Sequence, residues 1–265
     1  MAKPVHDPRK NYFSEVALGN VAGRSSVNKF GSAPSGIQVT ATDIWGRADA
    51  TPTQSVWLAP TAARVHAIVS SSVDDDGSPV GTGARTLRVY GLTSWTADEV
   101  SEDITLNGVG AVNTVNSYVI IHRMKVLTMG ASGPNVGTII ATAATDTTVT
   151  AVILPGDGQT EMAIYGVPST KIALLHRWNV QIDKAGGAVA SADFILRVNE
   201  NPNVQTTGFL RKDDISLQST GTCAEERRYA IPMRFVGPCI IKATAIASAA
   251  DVDGASGFDL ELVDA

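Results

Sequence analysis

Apolar and polar residues alternate through much of this chain, and the alternation is plainest between residues 85 and 128. Leu87 and Val89 interleave with Thr86, Arg88 and Tyr90, the period of two by which a strand sends one set of side chains to a core and the other outward. Gly91 ends that strand. Residues 118–127 begin apolar on both faces and then alternate through His122, Arg123, Met124, Lys125 and Val126, which predicts a strand passing from buried to half-exposed. The span 92–116 between them is too long for a tight hairpin. It holds Trp95 and the alternating Ile104, Thr105 and Leu106, and so predicts a further short strand and a projecting loop.

The same pattern recurs along the chain. Ile37, Val39 and Ala41 alternate with Gln38, Thr40 and Thr42, predicting a strand from Gly36 onward; residues 64–70 predict the next. Residues 72–83, SVDDDGSPVGTG, carry no apolar period and read as a solvent-exposed connection. Residues 136–141 and 149–154 predict a hairpin joined through Thr145, Asp146 and Thr147, followed by a tight turn at Pro155-Gly156-Asp157-Gly158. The cleanest alternation puts Ile172, Leu174, His176, Trp178, Val180 and Ile182 on one face, with Lys171, Arg177, Asn179 and Gln181 on the other. Phe194, Leu196 and Val198 return on the inner face, and residues 229–235, 239–247 and 258–262 supply the last strands.

Short strands divided by Gly, Asn, Asp and Pro turns, with few amphipathic helices, predict an all-β fold. The architecture expected is a jelly-roll-like two-sheet sandwich spanning residues 36–265, preceded by an N-terminal extended arm over residues 1–35. A break at 154–166 would divide two sandwiches, but its composition is not that of a linker, and one body is expected.

Composition supports the strand-rich reading: of 265 residues 44% are hydrophobic and only 18% charged, and Ala, Val, Thr, Gly and Ser dominate. The net charge of −5 lacks the basic footprint of a nucleic-acid-binding protein. Residues 1–35 nevertheless carry Lys3, Arg9, Lys10, Arg24 and Lys29 against Asp7 and Glu15, a net +3 beside −8 for the rest. A basic leader ahead of an acidic body fits an arm docking on a neighbour. With Tyr12 and Phe13 as apolar anchors, these five cations are the expected contacts with a neighbouring protein or subunit. Two cysteines, Cys223 and Cys239, do not make a disulfide framework; they either face each other across a hairpin or stay as buried free thiols. Neither a signal-peptide core nor an apolar run of about 18 residues occurs, so synthesis and first folding are expected in a cytoplasm without a membrane partner.

Chemical motifs are sparse. His6, His66, His122 and His176 are scattered, and the nucleophile elbow, H-E-x-x-H, C-x-x-C and P-loop patterns are absent, so neither catalytic residues nor a cofactor are expected. Asp74, Asp75 and Asp76 offer loop carboxylates of the kind calcium takes, yet lack the EF-hand spacing, and read as a solvated acidic loop, as do Asp251 and Asp253. Trp45, Trp57 and Trp178 read as core or interface packing. Trp95 alone stays open as a sugar-stacking platform.

The succession YGLTSWTADEVSEDITLNG, NSYVIIHRMKVLTMG, NVGTIIATAATD and FLRKDDISLQ, across residues 84–220, resembles a family of virion structural proteins of tailed bacteriophages, notably marine and cyanobacterial ones. The resemblance implies a non-enzymatic particle component: a jelly-roll cement or decoration protein, homotrimeric, assembled in the host cytoplasm and seated on the major capsid protein at the virion surface. The alternative is a tail, collar or receptor-binding component that touches host sugar through Trp95 or the 72–83 loop.

Overall fold

A six-residue helix, α1 (Tyr12–Ala17), precedes the first strand, β1 (Arg24–Ile37), in the computed structural model, which describes residues 11–48, 52–183, 189–203, 208–220 and 223–265. The chain continues through β2 (Thr42–Asp43), β3 (His66–Ser70), β4 (Ala84–Leu92), β5 (Val100–Thr105), β6 (Val112–Asn113) and β7 (Ile120–Met129). A hairpin of β8 (Ile139–Ala143) and β9 (Val149–Ile153) leads to β10 (Ile164–Val167), β11 (Lys171–Ile182) and β12 (Ser191–Asn199). The last strands are β13 (Leu210–Gln218), β14 (Cys223–Val236), β15 (Cys239–Ala247) and β16 (Val252–Asp264). All pairings are antiparallel. One sheet runs β1-β16-β11-β14, a second β10-β15-β12-β13 with β2 added on β15, a third β6-β3-β8-β9 and a fourth β5-β4-β7. The chain is thus all-β, as its alternation predicts.

The buried apolar residues fall into two clusters. Trp178, Phe194, Phe258, Leu175, Leu196 and Ile241 belong to the first, contributed by the first two sheets. Trp57, Leu87, Tyr118, Ile120, Met124 and Ile139 belong to the second, built on the other two. Each fully buried side chain of this size contributes about 1.5–3 kcal/mol relative to exposure. The chain enters the second cluster at Trp45 and, apart from Ile240, leaves it at Ile164. That return falls within 154–166, where the sequence shows a break but no linker, because the neighbouring β10 pairs directly into the second sheet.

Residues 24–35 are not an arm. Strand β1 pairs with β16 from Arg24↔Val263 to Ala33↔Gly254, and resumes at Ile37↔Val252 after a register shift. Before that shift its inward positions are Lys29, Gly31 and Ala33, which carry no large apolar side chain, so the period of two is invisible in the sequence. Gly31 is required there: a Cβ would sit 2.4 Å from the Ala163 nitrogen, a backbone approach only glycine permits. The strand expected from Gly36 onward instead ends at Ile37, and Val39 is exposed.

In β11 the expected face holds for Trp178, Val180 and Ile182 but not for Ile172, Leu174 and His176. A bulge between Leu175 and Arg177 shifts the register to both neighbours, β14 and β16. One extra residue reverses the parity, so Ala173 and Leu175 point inward and His176 outward.

Candidate functional site

The outer face of the first sheet gathers three of the sequence-predicted contact residues. Asn11 caps α1 by accepting from the Ser14 N–H at 3.2 Å, and Val16 is its buried anchor. The Tyr12 hydroxyl and the Arg24 guanidinium both donate to Glu261 Oε1, each at 2.5 Å, while His176 Nε2 lies 3.2 Å from Oε2. The Phe13 ring meets the His176 ring edge to face at 5.1 Å. Burial would raise the Glu261 pKa, but the hydrogen bonds from Tyr12 and Arg24 hold it below the usual carboxylate range. Burial and the Glu261 contact push Tyr12 upward. Beside this cluster a groove runs between α1 and β14, lined by Phe13, Val16, Tyr229, Ala230 and Pro232. Lys3, Arg9 and Lys10 lie outside the described residues.

The edge of the same sheet is β14, and among the described residues no strand pairs with its outer side. Along it Ile231 is 86% exposed, and Val236 is exposed as well. Long edges with apolar side chains are templates for pairing with another chain.

Lys29 sits elsewhere. It is buried where the two clusters meet, and its ammonium donates to the His122 carbonyl on β7. An exposed docking lysine was expected; the parity of β1 turns it inward instead. His122 Nε2 lies 2.6 Å from Glu99 Oε2, its ring packs 4.6 Å from that of Tyr165, and Arg123 donates to the Asn28 carbonyl at 2.9 Å. These residues border a cleft of about 450 Å³. Burial pushes Lys29 down to about 7, helped by the Arg123 charge and opposed by Glu99. Burial also lowers His122, against the pull of Glu99. For Glu99 burial would raise the pKa, but the His122 hydrogen bond and charge bring it below its ordinary value. Lys29, Glu99, His122 and Tyr165 are too far apart in the chain for any spacing rule to group them.

The other sequence candidates are structural. Asp75 is fully buried rather than solvated. Its carboxylate accepts from the backbone N–H of Ala84, Val136 and Gly137, each at 2.8 Å, and from Ser70 Oγ at 2.6 Å. That pins the 72–83 loop to the strands beneath it. Trp95 is only 7% exposed and belongs to the second cluster, so its ring offers no open face for a sugar. Trp57 Nε1 donates to the Thr150 carbonyl and Trp178 Nε1 to Ser256 Oγ, at 2.8 and 2.9 Å. Both cysteines are free thiols; Cys239 is buried, which pushes its thiol up to about 12, and Cys223 is half-buried. Among the described residues no group of three His, Cys, Asp or Glu is placed to hold a metal ion, and no helix is long and apolar enough to cross a membrane.

No family model matches the chain, and no curated protein matches it. Among solved structures it is similar to one described as the structure of infectious bursal disease virus Gt strain, at 10% identity, covering 91% of this chain and 72% of that one, with a TM-score of 0.22. Similarity of that degree carries no argument about function.

Proposed function

We propose that this chain is a phage virion structural protein, a capsid cement or decoration protein that binds as a homotrimer where major capsid subunits meet. The observation that carries the reading is the open edge of β14, fourteen residues long with Ile231 almost fully exposed. The exposed apolar side chains Ile231 and Val236 give another protein surface something to bury, while Glu225, Glu226, Arg227, Arg228 and Arg234 on the same strand keep the free edge from pairing indiscriminately. Binding that involves only the assembled shell stabilises the shell by linkage.

Strand order supports a jelly roll as the attachment body. Strands β1 and β10 to β16 form nested pairs, β1 with β16, β10 with β15, β11 with β14 and β12 with β13. Folded into the sheets β1-β16-β11-β14 and β10-β15-β12-β13, they follow the eight-stranded plan found in viral capsid and lectin domains. In this reading β3 to β9 are an inserted module between the first and second strands of the roll. The resemblance across residues 84–220 supplies the particle assignment.

The test is co-sedimentation of purified protein with empty heads and, separately, with tails. Salt-resistant binding to heads, lost in Ile231→Lys at unchanged melting temperature, is the expected result. Deletion of residues 1–10, which removes Lys3, Arg9 and Lys10, probes the arm. A deletion to residue 35 would instead remove β1 from its sheet. Binding to tails alone, or head occupancy untouched by both changes, overturns the proposal.

A further inference from the structure

The cleft at the meeting of the two cores contains more positive charge than its surroundings neutralise. Lys29 is 3% exposed, and Arg123 stands close enough to repel its ammonium. Among the described residues neither cation forms an ion pair: Lys29 donates to the His122 carbonyl and Arg123 to the Asn28 carbonyl. Glu99 attracts both cations, and its Oε2 is engaged by His122 Nε2. His122 itself is 2% exposed, and its Nδ1 is buried without a partner. Placing a buried ammonium beside a guanidinium, with no carboxylate paired to either, is costly unless an anion fills the cleft. Ser26, Asn28 and Gln159 add neutral polar groups to the wall.

We propose that this cleft binds a small oxyanion, a sulfate, phosphate or carboxylate group, held between the Lys29 ammonium and the Arg123 guanidinium beside the His122 ring. Bidentate guanidinium contacts and a buried ammonium are the usual means of gripping such groups. The site differs from the β14 edge and does not depend on the capsid assignment.

The proposal carries a proton signature. Lys29 on β1 is faced by His122 and Arg123 from β7, by Glu99 from the turn before β5, and by the Tyr165 hydroxyl from β10, with Asp98 and Tyr90 at the margin. An anion beside Lys29 and His122 favours their protonated forms, so binding takes up protons and strengthens as pH falls from 8 to 6.

Calorimetric titration of the full-length protein with sulfate, and separately with acetate, tests this at constant ionic strength. Neither probe changes charge between pH 6 and 8, and buffers of different ionisation enthalpy report the proton uptake. Sulfate affinity is expected to rise about tenfold from pH 8 to pH 6. Lys29→Met and Arg123→Gln are each expected to weaken it about tenfold or more. Lys29→Met should melt no lower than wild type without anion, since it removes a buried charge from beside Arg123. Acetate binding as well as sulfate assigns carboxylates to the site; sulfate alone narrows it to tetrahedral anions. Heats equal to dilution for both probes, or affinities unchanged in both variants, overturn the proposal.

Discussion

Lys242 Nζ lies 2.5 Å from Asp43 Oδ2, and both side chains are buried, at 4% and 0% exposure. The pair joins β15 to β2, and its remaining valences are used. Thr244 Oγ1 donates to Asp43 Oδ1 at 2.6 Å, the Trp57 N–H donates to Oδ2 at 2.8 Å, and the Lys242 ammonium stands 4.1 Å from the centre of the Phe209 ring. Asp43→Ala strands a buried ammonium and should destabilise the protein by about 3–5 kcal/mol. Combining Asp43→Asn with Lys242→Met should recover most of that loss. Urea denaturation of the single and double variants checks both expectations, and equal losses in the two would show that charge compensation is not what the pair provides.

Asp75 governs the 72–83 loop. Asp75→Ala leaves the buried Ala84 and Gly137 N–H groups and the half-exposed Val136 N–H without their acceptor and should cost about 3 kcal/mol. Gly83→Ala should cost about 1–3 kcal/mol, because its Cβ would come 2.1 Å from Asp75 Oδ1. A solvated acidic loop would tolerate both changes, so a denaturation midpoint equal to wild type would refute the buried role.

Acid should weaken the fold through His66. Its Nδ1 lies 2.9 Å from the Arg64 carbonyl and its Nε2 is buried without a partner. Burial pushes its pKa down to about 4, against the raising influence of that carbonyl and of Asp146. Between about 6.5 and about 4 the unfolded chain binds the extra proton, so stability is complete above the upper value and falls by about 3 kcal/mol towards the lower. His122, also depressed, acts in the same direction. Comparing unfolding free energies at pH 7.5 and 4.5 in wild type and His66→Phe should show a shallower decline in the variant; parallel declines would assign the acid sensitivity elsewhere.

Trp95→Ala should act on folding rather than on recognition. The ring is packed in the second core and approaches Gly166, whose Cβ would lie 3.2 Å from Cζ3. A loss of about 3–5 kcal/mol is expected. A variant with wild-type stability and altered glycan binding would restore the sugar-stacking reading.

The sequence is legible wherever a strand has one apolar face. Leu87 and Val89 locate β4, and Phe258, Leu260 and Leu262 locate β16, because burial there is written in large side chains. It is illegible in β1, whose buried positions before the register shift are lysine, glycine and alanine, and in β11, where one bulged residue inverts the pattern at its midpoint. The contact cluster was half visible. Tyr12, Phe13 and Arg24 stand out by residue type, but Glu261 and His176, which hold Tyr12 and Arg24 and meet Phe13, arrive from the other end of the chain and through the bulge. The cleft of Lys29, Glu99 and His122 had no local signal, since four separate segments meet there only after folding. Aspartate runs mislead for a related reason: a loop carboxylate reads as solvated until the backbone amides that wrap it are known.

The pairing of Arg24 with Val263 ties the start of the first strand to the end of the last. On a ribosome, β1 would leave the exit tunnel long before its partner exists, while β3 to β9, whose strand-to-strand pairings are internal to that span apart from the Lys125–Gln159 bridge just beyond it, can close as soon as they emerge. This β3 to β9 module is therefore expected to be born folded, with a tethered strand waiting at its N-terminal side. Nascent chains stalled short of β16 should yield a protease-resistant core covering the module but leave β1 open to cleavage, so the outer face of the first sheet is the last surface of the protein to come into being.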